Sequence, residues 1–284
     1  MEPYSRIFRP ELLGFKNYAT GLKPEDVTSY CPFTGLTFMT RPDAYDNYIP
    51  DQTSIIVKIH GAFSHSPSPS STPSSSSISA SAPASASASA STSFTPWSTA
   101  ESTSIPSQTG IQSTYPATLG PSGASTAFGL FYGWNSPRNS VGIVPQALYE
   151  QSKPHVDLFT AGMVLMNLLQ TVNFANPLNG VGIRNVVLVT DSNYLFSCLT
   201  EHVYAWQSKG FRNAKGKEVS NANAVKWVEG LIEEFERHDI CVRFWKVDKK
   251  DNWEAVDLAR RFLDLHNQFW RRHGIKALLN IRPA

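Results

Sequence analysis

Cysteine is scarce in this chain: Cys31, Cys198 and Cys241 are the 3 among 284 residues, odd in number and without a C-x-x-C pair. A disulfide framework and a cysteine zinc site are thereby excluded, and the three read as free thiols of an intracellular protein, cytoplasmic or nuclear. Long apolar runs are missing as well. No stretch reaches the ~18 residues of a membrane helix, and Met1-Glu2-Pro3-Tyr4-Ser5-Arg6 lacks the apolar centre of a signal peptide. Charge is sparse and nearly balanced, with 25 Lys+Arg against 23 Asp+Glu and a net charge of +2. So mild a balance announces no chain-wide nucleic-acid surface, and any basic contact must be local. Apolar residues are plentiful, 41% with 12% aromatic. They suffice for a buried core in one large domain or two small ones.

The charged fraction, 17%, is low for a visible reason. From Ser64 to Ser125 the chain is a Ser/Ala/Pro/Thr-rich tract, too poor in large apolar residues to offset its ordering entropy, and the expectation is a disordered insertion (64–125) in a surface connection. Ordered elements flank it. Thr53-Ser54-Ile55-Ile56-Val57-Lys58-Ile59-His60 is β-branched and predicts a buried strand. Thr126–Tyr132 and Ser140–Val144 predict two more strands, with Gly133-Trp134-Asn135-Ser136-Pro137 as the turn between them. Val156, Phe159, Met163, Met166 and Leu169 fall on one helical face, with Pro154 near the helix start, and Asn179-Gly180 and Gly182 end that region. Val186-Val187-Leu188-Val189 has the wholly apolar character of a central parallel strand. Helices over Tyr194–Trp206 and Asn223–Phe235, a strand over Ile240–Trp245 and a helix from Asn252 to Trp270 complete the order. Three strands, helix, strand, helices, strand, helix specify an α/β fold with a mixed sheet, antiparallel in its first half and parallel in its second.

Several local patterns stand in that frame. Thr190-Asp191-Ser192-Asn193-Tyr194 ends the apolar strand. Trp206, Gly210 and Phe211 precede Val219-Ser220-Asn221, and Phe244-Trp245-Lys246-Val247 precedes Asn252-Trp253-Glu254-Ala255. In order and spacing these resemble the type 1 ribonuclease H family over Asp157 to Ala259, as found in a group of fungal ribonuclease-H-like proteins. The resemblance implies a five-stranded mixed sheet flanked by helices, in a domain over 51–272 interrupted by the tract. Residues 1–50 remain an N-terminal extension without a readable role, and 273–284 a C-terminal tail.

It also implies a chemistry. The family brings four carboxylates together at the strand ends to hold two divalent metals, Mg2+ or Mn2+, which activate water and stabilise the leaving 3′-oxygen of the RNA strand in an RNA–DNA hybrid. The third carboxylate matches Asp191, a residue that is otherwise a helix N-cap. The second matches Asp157, where the family has a longer glutamate; helix-dipole compensation is its other reading. The first is replaced: the family's D-G-[AS] is His60-Gly61-Ala62 here, and imidazole is a poor magnesium ligand. The fourth falls on Val256. Asp257 is adjacent but about 100° around the helix, on a polar face with Arg260, Arg261 and Asp264, and reaches the position only if the helix is shifted by one residue.

By this count two of the four ligand positions are substituted, leaving Asp157 and Asp191 as the metal-binding remainder. The binding loop is fuller. Trp206, Lys209, Phe211, Arg212, Lys215, Lys217 and Asn221 match the substrate-handling region, where bases interleaved with aromatics suit phosphate and stacking contacts, although a solvated charged loop has the same composition. Asn193 stands where the family reaches the minor groove and 2′-hydroxyls. Three functions follow: a hybrid-binding domain with reduced or lost catalysis, an active hybrid nuclease using Asp157, Asp191 and Asp257 with His60 and manganese, or a protein-interaction scaffold.

Overall fold

The computed structural model describes residues 5–13, 22–43, 45, 47–63, 126–145, 152–171, 182–213 and 215–279. The expected disordered insertion, the Asn179-Gly180 helix stop and residues 280–284 lie outside the described residues. The strands are β1 (Thr28–Cys31), β2 (Leu36–Pro42), β3 (Tyr48–Phe63), β4 (Thr126–Phe131), β5 (Ser140–Ile143), β6 (Asn185–Thr190) and β7 (Cys241–Lys246). The helices are α1 (Lys153–Thr171), α2 (Asn193–Ser197), α3 (Val203–Ser208), α4 (Ala222–Arg237) and α5 (Trp253–Leu279), with a π-helical turn Cys198–His202 joining α2 to α3.

The mixed five-stranded arrangement is present in the order β5-β4-β3-β6-β7. β3, β4 and β5 pair antiparallel, while β3, β6 and β7 run parallel. Two further strands from the N-terminal extension enlarge it, making seven. β3 is 16 residues long, and its two ends have different neighbours on one side. β2 pairs with Tyr48 to Ile56, and β4 then takes over from Lys58 to Phe63. The hydroxyl of Thr37 on β2 donates to the carbonyl of Tyr132 just beyond β4, closing the seam between the two. The expected boundary at residue 50 therefore falls inside β3, and that at residue 273 falls inside α5. Weak apolar patterning from Tyr48 to Gln52 hides the strand's beginning: those residues are largely exposed and pair with β2 through the backbone.

Alternation along the central strands divides the core. Ile55, Val57 and Ile59 join Val186, Leu188, Val242 and Phe244 beneath α1 and α4, whereas Ile56, Val187, Val189 and Trp245 face the other side with Phe8 and Val27. α5 covers that second side farther along, where Ala259 and Leu263 meet Ala62 and Ala127. The approach is close: a Cβ on Gly129 of β4 would stand 2.7 Å from the Ala255 carbonyl and 2.9 Å from the Ala259 nitrogen. No helix of the described residues is long and apolar enough to cross a membrane.

The extension also grips the opposite edge of the sheet. Ile7 bridges to Phe244 of β7, with Phe8 N donating to Phe244 O at 2.9 Å and Phe244 N to Arg6 O at 2.8 Å. Arg6 then passes into the helical layer, where Nη1 meets Glu229 of α4 at 2.7 Å with side-chain exposures of only 7% and 4%. Removing one partner of such a pair strands a buried charge, so Arg6→Ala is predicted to lower the unfolding free energy by about 3–5 kcal/mol. Urea denaturation of the full chain reads this, and a loss below ~1 kcal/mol would show that the clasp contributes little to the folded domain.

Candidate functional site

The parallel register of β3 and β6 sets Ile59 opposite Thr190, so the next residues, His60 and Asp191, meet at the strand ends. His60 Nδ1 lies 2.8 Å from Asp191 Oδ1. A third element converges there. Asn252, fully buried just before α5, donates through Nδ2 to the carbonyl of Ile59 at 2.9 Å and to Asp191 Oδ1 at 2.8 Å.

Asp157 arrives from the α1 side, in that helix's first turns. The glycine at position 61 admits it, because a Cβ there would stand 2.8 Å from both Asp157 Oδ1 and Val156 Cγ1. Lys153, one turn earlier, makes an ion pair with Asp157 Oδ1. Ser192 Oγ donates to Asp157 Oδ2 at 2.7 Å and accepts from Leu195 N at 3.2 Å. Ser192 is thus the N-cap of α2, and Asp191 is left free of that structural task.

The two carboxylates titrate in opposite directions. Burial pushes Asp191 up, but the hydrogen bond and charge of His60, the Asn252 amide and the charge of Lys153 outweigh it and hold the group at about 2. For Asp157 burial dominates and raises the value, against the lowering by Lys153, Ser192 and His60.

Two residues before His60 and two after Asn252, Lys58 and Glu254 form a second buried ion pair, with Nζ 2.8 and 2.7 Å from the two carboxylate oxygens. Val256 is buried, whereas Asp257 is partly exposed and accepts from Arg261 Nε at 2.7 Å. Since Asn252 fixes where α5 begins, the one-residue shift that would bring Asp257 to the site does not occur.

The basic loop is a short antiparallel bridge between Arg212 and Glu218. Gly210 and Phe211 both turn through positive φ, and Asn213 Oδ1 accepts from the nitrogens of Lys215 and Lys217. Lys209, Arg212, Lys215 and Lys217 are exposed. Trp206 and Phe211 are not free stacking faces: both are partly buried against the core, and Lys226 Nζ sits 5.0 Å from the centre of the Phe211 ring. Asn193 is exposed at the start of α2. Asn221 takes the left-handed conformation before α4 and donates towards the Tyr194 hydroxyl at 3.5 Å.

No family model matches the chain. Curated relatives do. A ribonuclease H of Roseobacter denitrificans is 34% identical over 97 residues, covering 34% of this chain and 61% of that protein. A ribonuclease H of Vibrio vulnificus is 35% identical over 78 residues, covering 27% and 48% respectively. The chain carries a ribonuclease H-like domain. It spans less than two thirds of the length of these relatives. Among solved structures, the "Solution structure of PFV RNase H domain" aligns with 72% of this chain and 92% of that one, at 14% identity and a TM-score of 0.37.

A divalent-metal site within the ribonuclease H-like domain can be tested against its donor set. Three of the four oxygens of Asp157 and Asp191 already accept hydrogen bonds, and two cation-forming side chains, Lys153 and His60, supply donors. Among the described residues no group of three or more His, Cys, Asp or Glu is arranged to hold a metal ion. The residues present do not fit two hard cations, which need unpaired oxygen ligands. Lys153, Lys58 and Ser192 went unread in the sequence, yet each had a positional signal: Lys153 lies one helical turn before Asp157, Lys58 shares a strand face with His60, and Ser192 follows Asp191 at a strand-to-helix junction.

Because the Asp191 carboxyl is depressed below its ordinary ~3.9, it stabilises the fold above about pH 4 and loses that contribution as the pH falls towards about 2. Asp157, raised by burial, has the opposite sign, its contribution declining as the pH rises through its folded value. Asp191→Asn is expected to cost on the order of 2 kcal/mol at neutral pH, with the gap narrowing as acid is added. Urea titrations from pH 7 to pH 3 measure it, and a gap independent of pH would assign the loss to something other than ionisation.

Proposed function

We propose that this ribonuclease H-like domain binds RNA–DNA hybrid and has reduced or lost the two-metal cleavage of its relatives. The observation that carries this reading is the filling of the metal position from within: Lys153 on Asp157 and His60 on Asp191. A two-metal hydrolase works by holding cations against the scissile phosphate and the attacking water. Here the carboxylates that would hold them are engaged by the protein's own side chains instead, which leaves metal-dependent cleavage reduced or lost. The identity to proteins named ribonuclease H supports the substrate class.

In binding, Lys209, Arg212, Lys215 and Lys217 make phosphate contacts from the loop, while Asn193 and Asn221 offer amides to the 2′-hydroxyls and groove edge. Trp206 and Phe211 shape the loop from beneath rather than stacking on bases, as their packing against the core favours. The three free cysteines are in keeping with work inside the cell, in cytoplasm or nucleus.

Cleavage of a labelled RNA–DNA hybrid, in magnesium and then manganese, tests the catalytic half. The expected result is little or no product from folded wild-type protein. Cleavage as fast as that of an active ribonuclease H assayed alongside, and abolished in Asp191→Asn, would overturn it. For the binding half, changing Lys209, Arg212, Lys215 and Lys217 together to Gln should weaken hybrid affinity at least ~10-fold and flatten the salt dependence by about 0.9 in slope per lost phosphate contact. An unchanged slope would remove the loop from the interface.

A further inference from the structure

A cavity of about 530 Å3 opens between the N-terminal segment, β2 and β7, remote in sequence from the strand-end site. Its lining combines the apolar residues Ile7, Phe8 and Leu12 with three arginines, Arg9, Arg41 and Arg243. The wall is held in place: Ile7 and Phe8 are bridged to Phe244, and the Phe8 ring lies 5.1 Å from that of Trp245. Ser5 adds a hydroxyl at the end of the same segment.

The charges around this cavity do not cancel. Arg41 is matched by Asp51 at 2.7 Å, but among the described residues no acidic side chain lines the cavity and neither Arg9 nor Arg243 forms an ion pair. The Nε of Arg243 is buried and, among the described residues, has no acceptor. A buried donor left without a partner is costly, so the guanidinium of Arg243, a residue that lines this cavity, is short of an acceptor. Guanidinium groups present planar forks matched to phosphate oxygens. The cavity's volume lies in the usual range for small-molecule sites. Leu12, 77% exposed at the rim, would be covered by an occupant.

We propose that this cavity binds a phosphate monoester of nucleotide size, with the phosphate on Arg9, Arg41 and Arg243 and the organic part against Ile7, Phe8 and Leu12. Such a group is offered both by a free mononucleotide and by the 5′-phosphate end of a strand. The site is independent of the hybrid-binding reading, because it shares no residue with the strand-end cluster or the basic loop.

Calorimetric titration of the full chain with adenosine 5′-monophosphate and with adenosine tests the proposal, with 5′-phosphorylated and 5′-hydroxyl forms of one short oligonucleotide as a second pair. The monophosphate is expected to bind and adenosine not to. If only the monophosphate binds, the source is free nucleotide. If the phosphorylated strand also binds more tightly than its hydroxyl twin, the source includes strand ends. Arg9→Gln with Arg243→Gln should weaken the monophosphate at least ~10-fold, the loss expected for charge-assisted contacts. Arg9→Gln alone, at an exposed position, gives a smaller loss in a protein whose fold is not at risk. Equal affinity for phosphorylated and unphosphorylated forms, no binding of either, or undiminished binding in both variants would overturn the assignment.

Discussion

One amide group, Nδ2 of Asn252, ties three elements of the sheet's active end together. By donating both to a carbonyl of β3 and to the carboxylate that follows β6, it fixes the start of α5 against the two central strands. The register of α5 follows from that anchor: Glu254 comes to Lys58, Val256 is buried, and Asp257 is turned outward to Arg261. The parallel pairing of β3 with β6 supplies the other half of the constraint by setting His60 beside Asp191. Nothing in the loop or the long helix needs to be tuned separately for these groups to meet.

Around that anchor the molecule solves an electrostatic problem without an external ion. Asp191 just past the end of β6 and Asp157 in the first turns of α1 are neighbouring carboxylates that resist burial, and hydrogen-bond donors and positive groups nearby favour their ionised forms. Here Lys153 and His60 stand beside them, and Ser192 and Asn252 satisfy further oxygen valences. Lys58 with Glu254 repeats the device on the neighbouring face. The result is a polar cluster stabilised by its own side chains, a different use of the strand ends from that of a metal-loaded centre.

Much of the architecture was legible in the sequence because burial writes a period into it. The apolar run at Val186–Val189 and the helical stripe from Val156 to Leu169 marked β6 and α1 directly. The strand beginning at Tyr48 was not legible, since exposed residues on a strand's end leave no hydrophobic signature. β1 and β2 were missed for a related reason: the chain from Thr28 to Pro42 is short, interrupted by Cys31-Pro32-Phe33-Thr34-Gly35, and meaningful only once β3 is long enough to receive it. At the strand ends, a family pattern pointed to Asp191, Asp157 and His60, which the fold brings together. It did not reveal the lysines that neutralise the carboxylates, because those are read from three-dimensional neighbours. Trp206 and Phe211 show the reverse limit: aromatic composition alone does not distinguish a ring offered to a ligand from one packed under its own loop.

The clasp between Arg6 and Glu229 joins residues 223 positions apart. Contacts of such sequence separation are closed late, after the entropy of a very large loop has been given up, and chains rich in them fold slowly. During synthesis from the N-terminus, the edge of β7 and the acidic partner on α4 emerge only after most of the chain has been made. Until then the arginine and the apolar residues beside it have no place to go. Completion of the sheet at this edge is therefore a check on the whole chain: a polypeptide broken before α4 cannot close it.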